Sequence, residues 1–490
     1  MSEKFSNLLV VMSDEHRRDA MGCMGHPIVQ TPNLDALALR GSVFENSYTP
    51  CPMCVPARAA AACGDYVHNI RYWDSATPYD GRRRSWMHEL RDKGIDVASI
   101  GKLHFRSSED DNGFSEELLP MHVVGGVGWA AGLLRENPPL FESAAELARD
   151  VGSGASAYTD YDLEITEVAE KWLHDGKRKQ RPWAAFVSLV SPHYPLTAPE
   201  KWYGLYDPDD MDPPVAYETG KRPNHPEIRH IVNLFDYDQY FDPQRVREAK
   251  AAYYGLTSFM DDCLGRVLAA LETSGQADNT LVIYTSDHGD MLGDHGMWTK
   301  QVMYEASSGI PMIMAGPGVD AGRRVATGAS LLDLAATALD NFGLPENAGF
   351  PGKSLLKISA EPDEIDRTVL SEYHDGGSTT GTFMIRWRNW KLVYYHNFKP
   401  QLFNLEIDPH EQFDLVENAE TDSEVMAALA EGAKRLNAIC DPSEVNRLAF
   451  SDQKKRIEEL GGLDACINAY IFNHTPTPRE QKRMREGPAL

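Results

Sequence analysis

The strongest constraint on the fold is a series of apolar segments in which apolar and polar residues do not alternate. Such uninterrupted runs are typical of central strands whose two faces are both covered by helices. The runs occupy residues 7–13, 183–190, 280–286 and 310–315, with a weaker one at 95–101. Helical patterns at 32–40, 158–173, 247–273 and 330–341 separate them. We therefore predict an α/β fold with a large central, mostly parallel or mixed sheet flanked by helices.

Polar side chains follow four of these predicted strands. Asp14, Lys102, His193 and Asp287 each come just after the apolar residues of a strand. In open α/β sheets, residues at the carboxyl ends of the strands form the binding crevice. One such residue alone is usually a helix cap or a loop residue, whereas four together predict an active site.

The character of the sequence changes near residue 370. Residues 383–396 alternate and are rich in aromatic side chains, and a short apolar segment follows at 401–405. This pattern is typical of antiparallel strands with one solvated face. We predict a catalytic domain over residues 1–370 and a smaller C-terminal α+β domain over residues 371–490.

Two further segments stand outside this scheme. Residues 207–243 are acidic, aromatic and rich in proline, which predicts a long surface insertion. The tail from about residue 440 mixes helical and loop patterns. Its charged end is either an arm that packs between subunits or a frayed terminus, and the sequence leaves both readings open.

The charge of the chain excludes nucleic acid as its main ligand. Lys and Arg number 48 and Asp and Glu 73, which gives a net charge of −25, whereas proteins that bind phosphate backbones present basic surfaces. An anionic substrate would therefore need a local cluster of cationic side chains or a metal ion to hold it.

Cysteine content and the N-terminal segment predict the compartment. Seven cysteines in 490 residues do not form a disulfide scaffold. The apolar run Leu8–Met12 is too short for a secretory signal, and no segment has the length and apolar character of a membrane span. We expect a reducing, cytoplasmic setting and no membrane partner.

The sequence Cys54-Val55-Pro56-Ala57-Arg58 carries the most specific chemical signal. About 0.02 chance matches to Cys-x-Pro-x-Arg are expected in a chain of this composition. The run resembles the recognition motif of the formylglycine-dependent (type I) sulfatase family, in which a maturation enzyme oxidises the cysteine to an aldehyde. The small-residue run to Gly64 also resembles the family's next helix. Ala57 and Cys63 depart from its usual Ser and Thr.

Other motifs follow in the order of the same family. The segment TPNLDALALRGSVFENSYTP leads into the cysteine motif, and GKLHF supplies Lys102 and His104. SPHYP supplies His193, and TSDHGDMLGDHGMWTK supplies Asp287, His288 and Lys300. The nearest branch resembles the bacterial choline-sulfatases and phosphonate monoester hydrolases of the alkaline-phosphatase-like superfamily. This resemblance spans at least residues 7–300.

The resemblance implies a metal site made of Asp14, Glu15, Asp287 and His288. Three carboxylates and one imidazole suit one hard divalent cation, Mn²⁺ or Ca²⁺, with Mg²⁺ third. Glu15 stands where the family more often has Asp or Gln. The alternative for Glu15 is an ion pair with Arg17 or Arg18.

The resemblance also implies the catalytic groups. A hydrated formylglycine derived from Cys54 offers one hydroxyl to attack the ester and a second whose deprotonation expels the bound group. Arg58 would hold this hydrate, and Lys102 and Lys300 would bind the equatorial oxygens of the substrate. We assign His193 to protonate the leaving oxygen and His104 to act as the base; the sequence leaves these two roles exchangeable.

We predict a metal-dependent sulfate ester hydrolase, with hydrolysis of phosphonate monoesters or phosphodiesters by the same machinery as the alternative. The sequence disfavours two other functions. Phosphatases and phosphomutases of the same superfamily use Ser or Thr as nucleophile, whereas position 54 is Cys. A catalytically silent binding protein would have lost Cys54, Arg58 or a metal carboxylate, and all of these are present.

The predicted partners are a small anionic ester, the maturation enzyme and further copies of the chain in a dimer or tetramer. Ser75, Trp129 and Asp375 are the predicted substrate-binding residues, and Trp129 and Asp375 are predicted to form the leaving-group pocket. Related enzymes often have Asn at the position of Ser75, while Trp129 and Asp375 lie in Gly-rich loops and could hold a quaternary ammonium group.

Overall fold

Strands and helices alternate along most of the chain. The computed structural model describes residues 7–136, 138, 143–345, 349–419, 421–469 and 474–486. Within them the strands are β1 (Asn7–Asp14), β2 (Ser42–Phe44), β3 (Ser47–Tyr48), β4 (Asp96–Lys102), β5 (Glu116–Met121), β6 (Gly152–Ser153), β7 (Trp183–Pro192), β8 (Thr197–Ala198), β9 (Thr280–Ser286), β10 (Met312–Ala315), β11 (Arg323–Val325), β12 (Ala329–Ser330), β13 (Val369–Tyr373), β14 (Thr382–Trp387), β15 (Trp390–Tyr395) and β16 (Gln401–Asn404).

The same ranges contain α-helices of four to 31 residues. They are α1 (Pro32–Leu39), α2 (Cys54–Cys63), α3 (Val67–Ile70), α4 (Trp86–Asp92), α5 (Ser143–Arg149), α6 (Ala157–His174), α7 (Glu200–Tyr203), α8 (Pro226–Phe235), α9 (Pro243–Thr273), α10 (Glu305–Ser308), α11 (Asp333–Asn341), α12 (Leu355–Ala360), α13 (Ser423–Ile439), α14 (Pro442–Glu459), α15 (Leu463–Asn468) and α16 (Pro478–Glu486). None of these helices combines the length and the apolar character needed to cross a membrane.

The main sheet is mixed. In the described part of the chain it has eight strands in the order β11-β2-β10-β9-β1-β7-β4-β5. Strands β9, β1, β7, β4 and β5 run parallel to one another, whereas β10 is antiparallel to its neighbours β9 and β2. The predicted fold class is confirmed, and the apolar runs became the central strands.

Both faces of the main sheet are covered by helices. On one face, α6 packs against α9 and both pack against β7; Leu9 and Val11 of β1 belong to this core. Leu8 and Val10 belong to the opposite core, together with residues of α2 and α11. Because successive side chains of a strand point to opposite faces, the sequence LLVV serves both cores.

The C-terminal sheet is antiparallel, with strand order β13-β14-β15-β16. The prediction of antiparallel strands is confirmed, but the prediction of one solvated face is wrong, since β13 and β14 are buried along their whole length. Helix α13 packs against β14 and β15. The cross-strand pair Arg386 and Lys391 lies on the opposite face and contacts Tyr48 and Glu305. Both faces of this sheet are therefore internal interfaces.

The segment 207–243 is only partly a surface insertion. It contains the amphipathic helix α8, in which Ile228, Ile231 and Leu234 are buried. Glu227 of this helix accepts a hydrogen bond of 3.1 Å from the backbone of Thr379 in the loop after β13. The helical spacing of these apolar residues was a signal for a docked helix that the prediction of a surface insertion did not use.

The described part of the C-terminal tail is docked rather than frayed. Gln453 of α14 donates hydrogen bonds to Asp74 Oδ2 at 2.9 Å and to the carbonyl oxygen of His374 at 2.5 Å. Cys466 of α15 is buried in a small apolar cluster that includes Ala76 and Leu133. A contact between subunits stays a prediction.

A buried ion network joins the C-terminal sheet to the catalytic part of the chain. The ammonium group of Lys391, fully buried, lies 2.9 Å from Glu305 and 2.8 Å from Glu411. Glu305 also pairs with Arg18, in the loop that follows β1. Burial raises the pKa of Glu411 to about 7, an effect that Lys391 opposes. Lys391 therefore pairs with two buried carboxylates, one of which it shares with Arg18.

We expect Lys391→Met to destabilise the protein by about 3–5 kcal/mol, because it leaves Glu305 and Glu411 buried without this cation. The matched control is Lys455→Met, which removes an exposed pairing with Glu459 at 3.7 Å and should cost less than about 1 kcal/mol. Denaturant unfolding followed by tryptophan fluorescence measures both. Equal midpoints for the two variants would contradict the assigned role of Lys391.

Candidate active site

Four neighbouring strands bring the predicted polar residues together. Asp14 and Lys102 are the last residues of β1 and β4, and His193 and Asp287 directly follow β7 and β9. These strands are adjacent in the order β9-β1-β7-β4. All four side chains are buried. The crevice expected at the carboxyl end of a parallel sheet is therefore present, and it is lined by ionisable groups.

Helix α2 carries Cys54 into this crevice. Cys54 is its first residue, and the small residues that follow allow all ten positions of the helix to be buried. Gly64 ends the helix in the left-handed conformation, with φ of 65°, which glycine adopts without strain. The Cys54 sulfur lies 3.1 Å from His288 Nε2 and 3.7 Å from Asp14 Oδ1. Burial and Asp14 raise the pKa of the Cys54 thiol to about 12, so unmodified Cys54 is a weak nucleophile at neutral pH.

Arg58, one helical turn after Cys54, binds the two carboxylates of the site. Its guanidinium donates to Asp287 Oδ2 at 2.7 Å and to Asp14 Oδ2 at 3.0 Å. Its third nitrogen donates to Ser188 Oγ and to the carbonyl oxygen of Lys102, both at 2.9 Å. The sequence had suggested that Arg58 holds the hydrated aldehyde; in the structure its hydrogen bonds fix the carboxylates beside Cys54.

Asp14 is the most highly connected side chain of the site. Lys102 Nζ lies 2.6 Å from the oxygen that also accepts from Arg58. Burial raises the pKa of Asp14, but Lys102, His193 and Arg58 outweigh burial and hold this pKa well below its ordinary value. Asp14 is therefore ionised although it is fully buried.

Asp14, Asp287, His288 and Cys54 form a cluster with the composition of a metal site. Their potential ligand atoms all lie within 4.8 Å of one another. Nδ1 of His288 lies 2.9 Å from the carbonyl oxygen of Gly289, and a proton on Nδ1 leaves the Nε2 lone pair directed at the cluster. A backbone partner of this kind commonly orients metal-bound histidines.

Glu15 is held beside the cluster with one oxygen unpartnered. Its backbone has φ of 63°, a conformation that costs energy for Glu. Its Oε2 lies 2.9 Å from Lys300 and 3.2 Å from His193, and its buried Oε1 has no hydrogen-bond partner in the described ranges. The alternative ion pair with Arg17 or Arg18 is wrong, since these pair with Asp294 and Glu305.

The electrostatics around Glu15 favour binding of a cation at this site. Burial raises the pKa of Glu15 well above its ordinary value, and the nearby Asp290 carboxylate raises it further, against the opposing effect of Lys300. Oxygen donors with one imidazole are the ligands that Mn²⁺ and Ca²⁺ prefer. The residues present therefore fit a hard divalent cation.

The two predicted catalytic histidines differ in their hydrogen bonds. His193 Nδ1 lies 2.6 Å from the carbonyl oxygen of Tyr194, and its Nε2 lies 3.0 Å from Lys300 Nζ. Neither ring nitrogen of buried His104 has a hydrogen-bond partner among the described residues. Burial, together with Lys102 and Arg58, lowers the pKa of His104 well below its ordinary value. His104 is thus neutral, with a free acceptor nitrogen.

Ser75, Trp129 and Asp375 lie together in an adjoining cluster. Asp375 Oδ2 accepts hydrogen bonds from the Ser75 backbone at 2.8 Å and from its hydroxyl at 2.6 Å. Gly376 allows close approach of the indole, since a Cβ there would lie 2.6 Å from the Trp129 ring. Burial, and next the Asp74 carboxylate, raise the pKa of Asp375 to about 7. Burial and Asp375 also raise the pKa of Cys51, three residues before Cys54, so this cluster adjoins the cysteine motif.

Two protein families match the chain. Residues 6–344 match the Sulfatase family, and residues 293–439 match the family described as N-sulphoglucosamine sulphohydrolase, C-terminal. The chain belongs to the sulfatase family. It is therefore an enzyme of the sulfuric ester hydrolase class, and the predicted resemblance is confirmed.

Individual sulfatases and related hydrolases resemble it over most of their length. A choline-sulfatase of Rhizobium meliloti (strain 1021) is 32% identical over 424 residues, covering 84% of this chain and 82% of that protein. An arylsulfatase K of Danio rerio is 30% identical over 442 residues, covering 83% and 79%. The crystal structure of a phosphonate monoester hydrolase of Agrobacterium radiobacter has a TM-score of 0.72 at 25% identity, covering 88% and 95%. The fold is the alkaline-phosphatase-like fold of sulfatases.

Several residues of this sulfatase site were not predicted from the sequence. Asp290 is buried, and its Oδ1 accepts hydrogen bonds from the backbones of Leu292 and Thr299. Ser188 binds Arg58, and Asp74 lies beside Asp375. Asp290 stands in the segment TSDHGDMLGDHGMWTK and Asp74 directly precedes Ser75, so their positions were usable signals. Ser188 lies inside an apolar strand and gave none.

We expect Asp287→Asn to weaken Mn²⁺ binding by tenfold or more, because it removes one of the anionic oxygens that face the cation. The matched control is Asp294→Asn in the same segment, whose carboxylate pairs with Arg17 at 2.9 Å and which should bind Mn²⁺ like the wild type. Isothermal titration of folded protein measures both affinities. Wild-type affinity in Asp287→Asn would contradict the metal site.

Proposed function

We propose that this sulfatase hydrolyses sulfate monoesters with a formylglycine made from Cys54 and one divalent cation. The observation that carries the proposal is the position of Cys54. It opens a buried helix, 3.1 Å from His288 and 3.7 Å from Asp14, inside the cluster that also contains Asp287. A nucleophile derived from this side chain would be formed next to the cation that activates it.

Asp14, Asp287 and His288 would hold the cation, and Glu15 would supply a further oxygen through its unpartnered Oε1. When bound, the cation would offset the charge of the ester and acidify the attacking hydroxyl. Mn²⁺ or Ca²⁺ suits these donors best, with Mg²⁺ third. Arg58 keeps two of the carboxylates in place by its hydrogen bonds.

A hydrated formylglycine supplies one hydroxyl for attack and a second for expulsion of the bound group, which a plain Cys or Ser does not.

The cationic side chains account for binding of an anionic ester by a protein of net charge −25. Lys102 and Lys300 are buried beside Asp14 and Glu15. We assign these two ammonium groups to the equatorial oxygens of the sulfate, which would share their protons with the carboxylates.

The hydrogen bonds of His104 fit the role of base, and those of His193 place a condition on the role of acid. His104 has two unpartnered ring nitrogens and is neutral, so it can take up a proton as the general base. Burial, Lys300 and Lys102 lower the pKa of His193 well below its ordinary value, so its Nε2 accepts from the Lys300 ammonium. We assign proton donation to the leaving oxygen to His193 Nε2, with Lys300 as the source of the proton that Nε2 passes on.

Hydrolysis of phosphonate monoesters or phosphodiesters is the second candidate. The likeness to the Agrobacterium radiobacter enzyme favours it, with a TM-score of 0.72 over 95% of that chain. A cluster that neutralises charge serves either kind of ester. A panel of aryl sulfate, choline sulfate, sugar sulfates and phenyl phosphonate, compared by kcat/KM on fully matured enzyme, separates the candidates.

For the leaving group we propose a pocket formed by Ser75, Trp129 and Asp375. Asp375 is fully buried and its oxygens accept hydrogen bonds from Ser75 and Gly376. It would therefore act on a bound cation by charge and by orienting Ser75, whereas the partly exposed Trp129 would contact it through the indole ring. The choline-sulfatase relative favours a quaternary ammonium as the occupant.

We expect Cys54→Ala to abolish turnover, since no other side chain can be oxidised to the aldehyde at this position. Active protein from a host that contains the maturation enzyme should be about 18 Da lighter than the unmodified chain by intact mass. The matched control is Cys63→Ala at the other end of α2, which should retain both the mass loss and the activity. Wild-type activity in Cys54→Ala would end this proposal.

We expect Trp129→Ala to raise KM for choline sulfate by roughly 2- to 30-fold, the equivalent of the 0.5–2 kcal/mol of a cation–π contact. KM for a small aryl sulfate should change less, because its leaving group carries no positive charge. Trp390→Ala, a partly buried tryptophan on the β14–β15 hairpin, controls for general destabilisation. Equal effects of Trp129→Ala on both substrates would contradict the pocket.

A further inference from the structure

Tyr158 joins the C-terminal tail to His193. It lies in the first turn of α6 and is buried. Its ring meets the His193 imidazole edge-on, with centroids 5.8 Å apart and planes at 66°. Its hydroxyl donates a hydrogen bond of 2.7 Å to the carbonyl oxygen of Thr475. A residue far along the chain is thereby coupled to the active site through one side chain.

Besides Tyr158, His193 contacts Tyr194 and, through Nε2, Lys300 and Glu15 at 3.0 and 3.2 Å. Its ring stacks on Tyr194 with centroids 4.1 Å apart, and its Nδ1 lies 2.6 Å from the carbonyl oxygen of the same residue. Tyr194 immediately follows His193, so these contacts move with the loop that carries both residues. Tyr158 belongs to a different element, α6, and can fix the imidazole relative to the sheet.

The tail is anchored so that it can hold Tyr158. His474 packs edge-on against the Tyr158 ring, with centroids 5.0 Å apart. Gln481 of α16 donates to the carbonyl oxygen of His122 at 3.0 Å, and Arg479 pairs with Glu164 of α6. Thr477 accepts from the Glu480 backbone at the start of α16 and is buried. Residues 474–486 therefore pack along the Tyr158 side of the site.

We propose that Tyr158 is a positioning residue for His193 and that tail residues His474 and Thr475 hold it in place. The proposal rests on the proposed function, in which His193 Nε2 protonates the leaving oxygen. Tyr158 acts by keeping Nε2 aimed at the leaving oxygen, and an imidazole that tilts loses this alignment.

The chain offers a matched pair of variants for the test. Tyr158 and Tyr161 are both buried tyrosines of α6 whose hydroxyl donates to a backbone carbonyl, the latter to that of Leu119 in β5. Tyr158→Phe and Tyr161→Phe remove the same kind of bond and should lower the melting temperature to a similar degree. Only Tyr158→Phe should change the chemistry at His193.

Matured enzymes are compared on an alkyl sulfate, which has a poor leaving group, and on 4-nitrophenyl sulfate, which needs little proton donation. Tyr158→Phe should lower kcat for the alkyl sulfate by about tenfold and for the aryl sulfate by less than about twofold, since general-acid assistance matters most for poor leaving groups. Tyr161→Phe should leave both kcat values near those of the wild type. KM should change little in either variant.

His474→Ala is the second test, because it removes the tail contact without altering α6. It should reproduce the leaving-group-dependent loss, whereas Arg479→Ala should not, because Arg479 is largely exposed and its pair with Glu164 contributes little to docking of the tail. Similar kinetics for Tyr158→Phe and Tyr161→Phe, or equal losses on both esters, would overturn the positioning role. A matured wild type that hydrolyses neither sulfate would instead contradict the proposed function itself.

Discussion

The site depends on one buried carboxylate, Asp14, at the end of the central strand. A carboxylate that is fully removed from water is unstable unless cations and hydrogen bonds compensate for the lost hydration. Arg58 and Lys102 meet the same oxygen of Asp14 at 3.0 and 2.6 Å, and its other oxygen faces Cys54 and His288. Helix α2, strand β4 and the loop after β9 must all be in place for this arrangement to exist.

The balance of charges in the crevice also favours binding of a metal ion. The crevice contains the carboxylates Asp14, Glu15, Asp287 and Asp290 and the cations Arg58, Lys102 and Lys300, all buried. These four carboxylates exceed the three cations by one, and burial and the Asp290 carboxylate raise the pKa of Glu15 against the opposing effect of Lys300. One divalent cation would reverse the sign of the site and strengthen its attraction for an anionic ester. Metal binding and substrate binding would then be linked by electrostatics.

The sequence predicted what depends on local patterns. Uninterrupted apolar runs identified the central strands, and polar residues after them identified the crevice, because strand direction fixes where these side chains lie. Motifs identified Cys54 and Arg58 and the family. The remaining features of the site and of the C-terminal part depend on tertiary contacts. Three features depend on partners far away in the chain. These are the hydrogen bonds of Arg58 to two carboxylates, the pairing of Glu15 with Lys300 and the burial of both faces of the C-terminal sheet. The docking of the tail against Tyr158 depends on a hydrogen bond between residues 317 positions apart, which no local pattern encodes.

The central claim is that one cation binds between Asp14, Asp287 and His288 next to a modified Cys54. A crystal structure of matured protein soaked with Mn²⁺, with diffraction data collected at the manganese absorption edge, tests it most directly. The account predicts one strong anomalous peak within about 2.5 Å of carboxylate oxygens of Asp14 and Asp287 and of His288 Nε2, beside a residue 54 that has lost its sulfur. A peak bound elsewhere, or an unmodified Cys54 in fully active protein, would contradict the account.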